Sequence, residues 1–388
     1  MARGAKIKKI VGKRGVSYRT TVDVGTDPAT GKRKQKVLTA KTKQELEVLV
    51  AQTLADVSRS VYFEPGKMTT GGYLDYWLKN YAKLNVEATT FEKYEAIINA
   101  HIKPAMGAIP VTKLTPAHVQ AFITNQLENG NTRNGKGLSP TSVRINFRVL
   151  SESLSCAVEW EIIPRNVCNS VTSPRKTKTE VEALTAEQVD IIMTALAGTY
   201  LQKPSQIAIF TAMREGEILG LQRDDVNLEE GYLIVNHGLK QLKGSKIVLG
   251  TPKTPTSKRR IELEPECIAV IKARYREIAA EKLAMGPAYL DGGYVFAKPD
   301  GTPYKVKSWS DTWIKAVLNK TGIKATFHQL RHTAATLMLE AGVPLHEVSR
   351  MLGHSSVAIT GDIYGHRTPS GRKEASRKLA EALAAGRK

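Results

Sequence analysis

Two polar, proline-bearing breaks constrain this chain most, because they divide its 388 residues into segments of different character. The first is Glu64-Pro65-Gly66-Lys67, and the second is Thr172-Ser173-Pro174-Arg175-Lys176-Thr177-Lys178-Thr179. Proline continues neither a helix interior nor a central strand, and the flanking polar residues have no core to join, so both stretches read as linkers. Three domains are expected, over residues 1–63, 67–171 and 180–388.

The first segment is basic and alternating. Residues 1–43 hold 13 Lys and Arg against two acidic residues, Asp23 and Asp27. Ser17-Tyr18-Arg19-Thr20-Thr21-Val22-Asp23-Val24 has the period of a strand; turn residues Asp27 to Gly31 follow, then a second strand over Lys32 to Leu38. Thr42 and Glu45 have capping-box spacing, and Leu46, Leu49, Val50 and Leu54 give the next helix an apolar stripe. The expectation is a small sheet-plus-helix module displaying Lys8, Lys9, Lys13, Arg14, Arg19, Lys32, Arg33 and Lys34; a disordered basic tail is the alternative.

From Met68 to Val171 the periodicity is helical throughout. One helix carries Tyr73, Tyr76, Trp77 and Tyr81; a second begins near Thr89; a third runs from Pro116; a fourth begins at Ser139-Pro140, with proline in the first turn. The aromatics read as core. Lys93, Arg144 and Arg148 fall on polar faces where a phosphate backbone or plain solvent could lie.

The last segment mixes helices with three strand candidates, Tyr232 to Asn236, Lys246 to Leu249 and Arg260 to Leu263. Leu330 to Ala341 is a strong amphipathic helix stopped by Gly342 and Pro344. Arg214 and Glu217 are three apart and share a helix face, as a surface ion pair would. The hairpin from Gly250 to Arg260 packs cations into a turn with few anions, which is costly unless an anion sits there. His328 and Arg331 open a helix on one face, where the helix N-terminus adds partial positive charge. His332 makes an HxxxH pair with His328, but Gln329 stands where a zinc protease needs Glu, so no metal is implied. Leu352-Gly353-His354 and then Thr360-Gly361-Asp362-Ile363-Tyr364 close the set.

The net charge of +20, from 57 Lys and Arg against 37 Asp and Glu, favours a polyanion as partner, although a merely basic soluble protein would carry it too. The cations are spread over several elements rather than one amphipathic helix, which argues against a membrane surface. Three cysteines without a CxxC pair and an N-terminus without an apolar core fit a reducing cytoplasm and no secretory signal.

Taken together these motifs resemble the tyrosine recombinase (phage integrase) family. The resemblance is specific from about Ala183 onward, weaker over 68–171, and weakest over the first 60 residues. It implies an α+β multidomain fold: a β-sheet-plus-helix arm-binding domain, an all-α SAM-like core-binding domain, and a mostly α catalytic domain with a small antiparallel sheet. It implies that Arg214, Lys253, His328, Arg331 and His354 are catalytic, that Glu217 buttresses Arg214, and that Tyr364 is the nucleophile of a 3′-phosphotyrosyl intermediate. Neither ATP, metal nor other cofactor is implied. The implied partners are double-stranded core and arm DNA, three further copies in a tetramer, and a host bending factor or excisionase. The implied setting is a bacterial cytoplasm at the nucleoid. A non-catalytic architectural regulator, a type IB topoisomerase-like activity and a resolvase are the rival readings. The chain departs from the family at Ala212, where glycine is usual.

Overall fold

The computed structural model describes residues 7–12, 15–26, 33–58, 68–175, 182–250, 258–364, 377 and 381. The chain divides into two compact units, Met1–Lys178 and Thr179–Lys388, and the first contains two separate hydrophobic clusters.

The smaller cluster belongs to an antiparallel sheet ordered β1-β2-β3 (Lys8–Gly12, Gly15–Thr26, Arg33–Ala40) and to helix α1 (Lys43–Ser58). Val22 and Leu38 are buried with Leu46 of α1. The capping box forms as expected: Glu45 N donates to Thr42 Oγ1 at 3.2 Å and Thr42 N to Glu45 Oε2 at 3.3 Å. The turn at Asp27 to Gly31 and the first linker lie outside the described residues, apart from the sheet ends that flank the turn.

The larger cluster is helical: α2 (Thr70–Trp77), which widens into a π-turn over Leu78–Ala82, α3 (Ala88–Ile97), α4 (Pro116–Asn129) and α5 (Pro140–Glu159). Thr115 and Ser139 cap the last two by accepting from His118 N and Ser142 N. The aromatic stripe is core, as its spacing implies: Trp77 stacks on Tyr81 and Tyr94 at 5.8 and 5.5 Å between ring centroids. Each such buried side chain contributes roughly 2 kcal/mol of apolar transfer.

The second unit contains α6 (Ala186–Ala195), α7 (Gln202–Thr211), α8 (Glu215–Leu219), β4 (Val226–Asn227), β5 (Tyr232–Val235), β6 (Gly238–Gln241), β7 (Ile247–Gly250) and β8 (Arg259–Glu262). Then come α9 (Pro265–Met285), α10 (Val306–Thr321), α11 (Phe327–Glu340), α12 (Leu345–Leu352) and α13 (Val357–Tyr364). All three expected strands form, but β7 and β8 pair with β6 and β5 rather than with each other, giving two small antiparallel sheets. The flanks of the expected Gly250–Arg260 hairpin, β7 and β8, therefore lie in different sheets, and residues 251–257 between them lie outside the described residues. β6, Gly-Leu-Lys-Gln, is too short and polar to show strand alternation, which hides the second sheet from the sequence.

Trp309 and Trp313 of α10 pack nearly perpendicular to the ring of Phe327, with centroids 4.8 and 5.6 Å away, and Trp313 Nε1 donates to Ser205 Oγ at 2.8 Å. These contacts fix α10 against α7 and α11. A Cβ at Gly216 or Gly220 would stand 2.8 Å from Leu239 O or 2.7 Å from Leu239 N, so only glycine lets α8 lie directly on β6. A cluster of small residues, Ala212, Ala334 and Ala335 with Val348 and Leu352, lets α7, α11 and α12 converge. The ends of these helices carry the charged groups described next.

Candidate active site

Arg214 and Arg331 lie more than a hundred residues apart in sequence but are anchored on the same short stretch of backbone. Arg331 Nη2 donates to Leu352 O at 2.7 Å, and Arg214 Nη2 donates to Gly353 O at 3.3 Å, immediately before His354. Arg331 Nη1 also donates to Ala212 O at 2.8 Å, two residues before Arg214. Such carbonyl bonds fix the plane of a guanidinium, which a lysine in the same place would not do.

Ala212 accepts that bond from a left-handed backbone, φ 52° and ψ 24°, closing α7. This is the physical reason glycine suits the position: an L-residue in this conformation costs roughly 1–2 kcal/mol. Alanine is tolerated because its methyl is fully buried among the small residues of the cluster.

Glu217 does more than buttress Arg214. Its Oε1 accepts from Arg214 Nη1 at 2.8 Å and its Oε2 from Arg214 N at 2.9 Å. The same carboxylate accepts from Arg259, through Nη2 to Oε2 at 2.9 Å and Nη1 to Oε1 at 3.3 Å. Burial raises the Glu217 pKa, but Arg259 and Arg214 outweigh it and hold the carboxyl below its ordinary value. Arg214 keeps 38% of its side chain exposed whereas Arg259 keeps 5%, so Arg214 is the member open to a ligand. Two guanidiniums sharing one carboxylate, with Arg331 held on carbonyls nearby, leave an excess of positive charge, as an anion site requires.

Arg259 escaped the sequence reading, although a signal was present. Strand alternation puts it on the row of Ile261 and Leu263, and β8 indeed buries Arg259 and Ile261 while exposing Arg260 and Glu262. A charge on a core row needs a partner.

His328 sits at the start of α11 with its ring edge-on to His332, 4.6 Å between centroids. Gln329, which excluded a zinc-protease reading, closes a capping box instead, its Oε1 accepting from Thr326 N at 2.7 Å. Burial of the ring first, then His332, Arg331 and Arg214, lower the His328 pKa, although the residue is still open to solvent. His354 is more enclosed, and burial followed by Arg331 and Arg214 lowers it to about 4. Its Nδ1 lies 2.8 Å from the hydroxyl of Thr360, a fully buried residue of α13. Thr360, also missed in the sequence, ties His354 to the helix whose last residue is Tyr364.

The structure therefore brings Arg214, Glu217, His328, Arg331 and His354 together. The backbone of Tyr364 ends α13, and its side chain lies outside the described residues, as does Lys253. In the N-terminal sheet Lys8 pairs with Arg19, and Arg19 with Thr39, on the row opposite the one holding Thr20, Val22 and Leu38; both cations are exposed. Lys9 is exposed but pairs with Tyr18, on the row that faces α1. Arg33 and Lys34 begin β3, and Lys13, Arg14 and Lys32 lie outside the described residues. Lys93 on α3 and Arg144 and Arg148 on α5 are exposed, the last two one helical turn apart. Among the described residues no group of three or more His, Cys, Asp or Glu is placed to hold a metal ion, and no helix is long and apolar enough to cross a membrane.

Comparison with known proteins agrees with this architecture. Residues 182–370 match the phage integrase family and residues 69–126 the phage integrase N-terminal SAM-like domain. A tyrosine recombinase XerC-like protein of Caldanaerobacter subterraneus subsp. tengcongensis is 30% identical over 93% of this chain and 95% of its own length. The ICEBs1 integrase of Bacillus subtilis is 25% identical over 94% and 97%. Among solved structures, the Tn1549 transposon integrase in complex with transposon right end DNA covers 81% of this chain and 100% of its own, at 22% identity and a TM-score of 0.66. A lambda integrase tetramer bound to a Holliday junction covers 92% and 94%, at 18% identity and a TM-score of 0.56. Fold and sequence thus define an enzyme that breaks and rejoins DNA. The chain belongs to the tyrosine recombinase family and is a site-specific recombinase of the integrase type.

Proposed function

We propose that the chain integrates and excises a mobile element by transesterification at Tyr364, with Arg214, Lys253, His328, Arg331 and His354 around the scissile phosphate. The observation that carries this reading is the convergence of Arg214 and Arg331 on the carbonyls of Gly353 and Leu352, beside His354. The Tyr364 oxygen attacks phosphorus, the bond to the 5′ oxygen breaks, and a 3′-phosphotyrosyl ester retains the bond energy for a second 5′-hydroxyl. Arg214 and Arg331 hold the non-bridging oxygens as charge builds on them. His328, with its lowered pKa, is a neutral base for the tyrosine proton, and Lys253 protonates the leaving oxygen. His354 donates from Nε2 to a non-bridging oxygen, which requires that neutral Nδ1 accept from the Thr360 hydroxyl.

Double-stranded DNA is the substrate. Lys93, Arg144 and Arg148 contact the core site from domain 67–171, and the basic module of residues 1–63 reads arm sites through the exposed row of Lys8 and Arg19, with Lys9, Lys13, Arg14, Lys32, Arg33 and Lys34 on phosphates. Four copies act on two duplexes in the bacterial cytoplasm at the nucleoid, with a host bending factor or an excisionase setting direction. The decisive experiment incubates the protein with nicked duplexes drawn from a randomised pool by binding to the wild type. Wild type should leave an SDS-resistant protein–DNA adduct, whereas Tyr364→Phe should bind the same DNA and leave none. An adduct that persists in Tyr364→Phe refutes the assignment of the nucleophile.

A further inference from the structure

We infer that Arg259 is a positioning residue for strand cleavage, holding both Glu217 and the Met351–His354 backbone so that Arg214 and His354 face one phosphate. This rests on the reading of Arg214 and His354 as phosphate-holding groups. Arg259 is turned inward, with 5% of its side chain exposed, so it does not itself present a guanidinium to DNA. Its Nε donates to Met351 O at 2.7 Å, while Nη1 and Nη2 meet the two oxygens of Glu217. A single side chain thus connects β8, α8 and the end of α12.

The charge arrangement gives the connection a chemical consequence. With Arg259 present, Glu217 divides its negative charge between two guanidiniums, and Arg214 retains positive charge for a ligand. Without Arg259, the whole carboxylate charge falls on Arg214, in a partly buried setting where Coulomb interactions are weakly screened. The carbonyl bond matters separately: Met351 lies three residues before His354, and Arg214 holds Gly353 O between them. Gly353 has φ 64°, and a Cβ there would stand 3.0 Å from Arg259 Nη1, so this backbone is moulded on the arginine. Arg259 also begins the strand that follows, after Lys258, residues 251–257, the stretch containing Lys253.

The test uses the full chain and the selected nicked duplexes, with Arg259→Met, Arg259→Lys and, as control, Arg214→Ala. Arg259→Lys keeps a cation but cannot span Glu217 and Met351 O together, so it decides the matter if Arg259→Met does not fold. Either folded variant should bind DNA as wild type does and form the adduct about 10–100-fold more slowly, the range for loss of an orienting partner. The acid limb of the adduct rate should also move to higher pH in Arg259→Met, because the buried Glu217 carboxyl has lost a cation; adding Glu217→Gln should abolish that movement. Wild-type rates in a folded variant overturn the inference, and so does a slower Arg259→Met with an unmoved pH profile, which would make Arg259 scaffolding only. If Arg214→Ala cleaves normally, the phosphate-holding reading itself fails; if it is inactive while the Arg259 variants are normal, only this inference fails.

Discussion

Gly353→Ala and Gly342→Ala make a matched pair that measures how firmly the active-site backbone is held. Both glycines have left-handed φ angles, 64° and 89°, just beyond the ends of α12 and α11. A Cβ at Gly342 meets nothing within 4 Å, whereas one at Gly353 would stand 3.0, 3.2 and 3.3 Å from Nη1, Cδ and Cζ of Arg259. Alanine at Gly342 therefore incurs only the backbone term, roughly 1–2 kcal/mol. At Gly353 the same term is joined by overpacking against a guanidinium that Glu217 and Met351 O keep from retreating, roughly 1–3 kcal/mol more. For a unit the size of residues 179–388, each kcal/mol moves Tm by roughly 2–4 °C. Gly353→Ala should therefore melt about 6 °C below Gly342→Ala in scanning calorimetry of the full chain. It should also slow adduct formation, since His354 follows directly, while Gly342→Ala cleaves as wild type does. Equal melting temperatures and equal rates in the two variants would refute the claim that Arg259 clamps this backbone.

Two further outcomes follow from the charges. His354 has its pKa lowered in the fold, so the unfolded chain binds the proton first as pH falls. The stability linked to it is complete above the unfolded value near 6.5 and is lost as pH falls towards about 4. Glu215, raised by burial to about 7, acts in the opposite sense over the overlapping interval, so the comparison must be between variants. His354→Asn, whose amide can still meet Thr360, should lose less Tm than wild type between pH 6.5 and pH 4.5; parallel declines would exclude a neutral, buried imidazole. Arg144→Ala with Arg148→Ala, both exposed on α5, should flatten the plot of log affinity against log salt by about 1.8, roughly 0.9 per lost phosphate contact. An unchanged slope would move the core-site contact off this face.

What could be read in the sequence was local or had a fixed spacing. The capping box at Thr42, the cap at Ser139 and the stop at Gly342 are each decided by a few neighbouring residues, and each forms. Arg214, Glu217, His328, Arg331 and His354 could be picked out because their types, order and spacing resemble the family's motifs. Their mutual support could not, because the partners lie far apart along the chain: Arg259 meets a carboxylate 42 residues away and a carbonyl 92 residues away. Ala212 shows the same division. Its departure from the usual glycine is visible in the sequence, but the left-handed turn that explains the glycine, and the small-residue pocket that accepts a methyl, exist only once α7, α11 and α12 have converged. A motif therefore identifies the groups that would touch the phosphate, while the groups that hold them sit on core rows. A charged residue on the buried row of a strand, as at Arg259, is the one mark such a group leaves in a single sequence, because burial of an unpaired guanidinium would cost several kcal/mol.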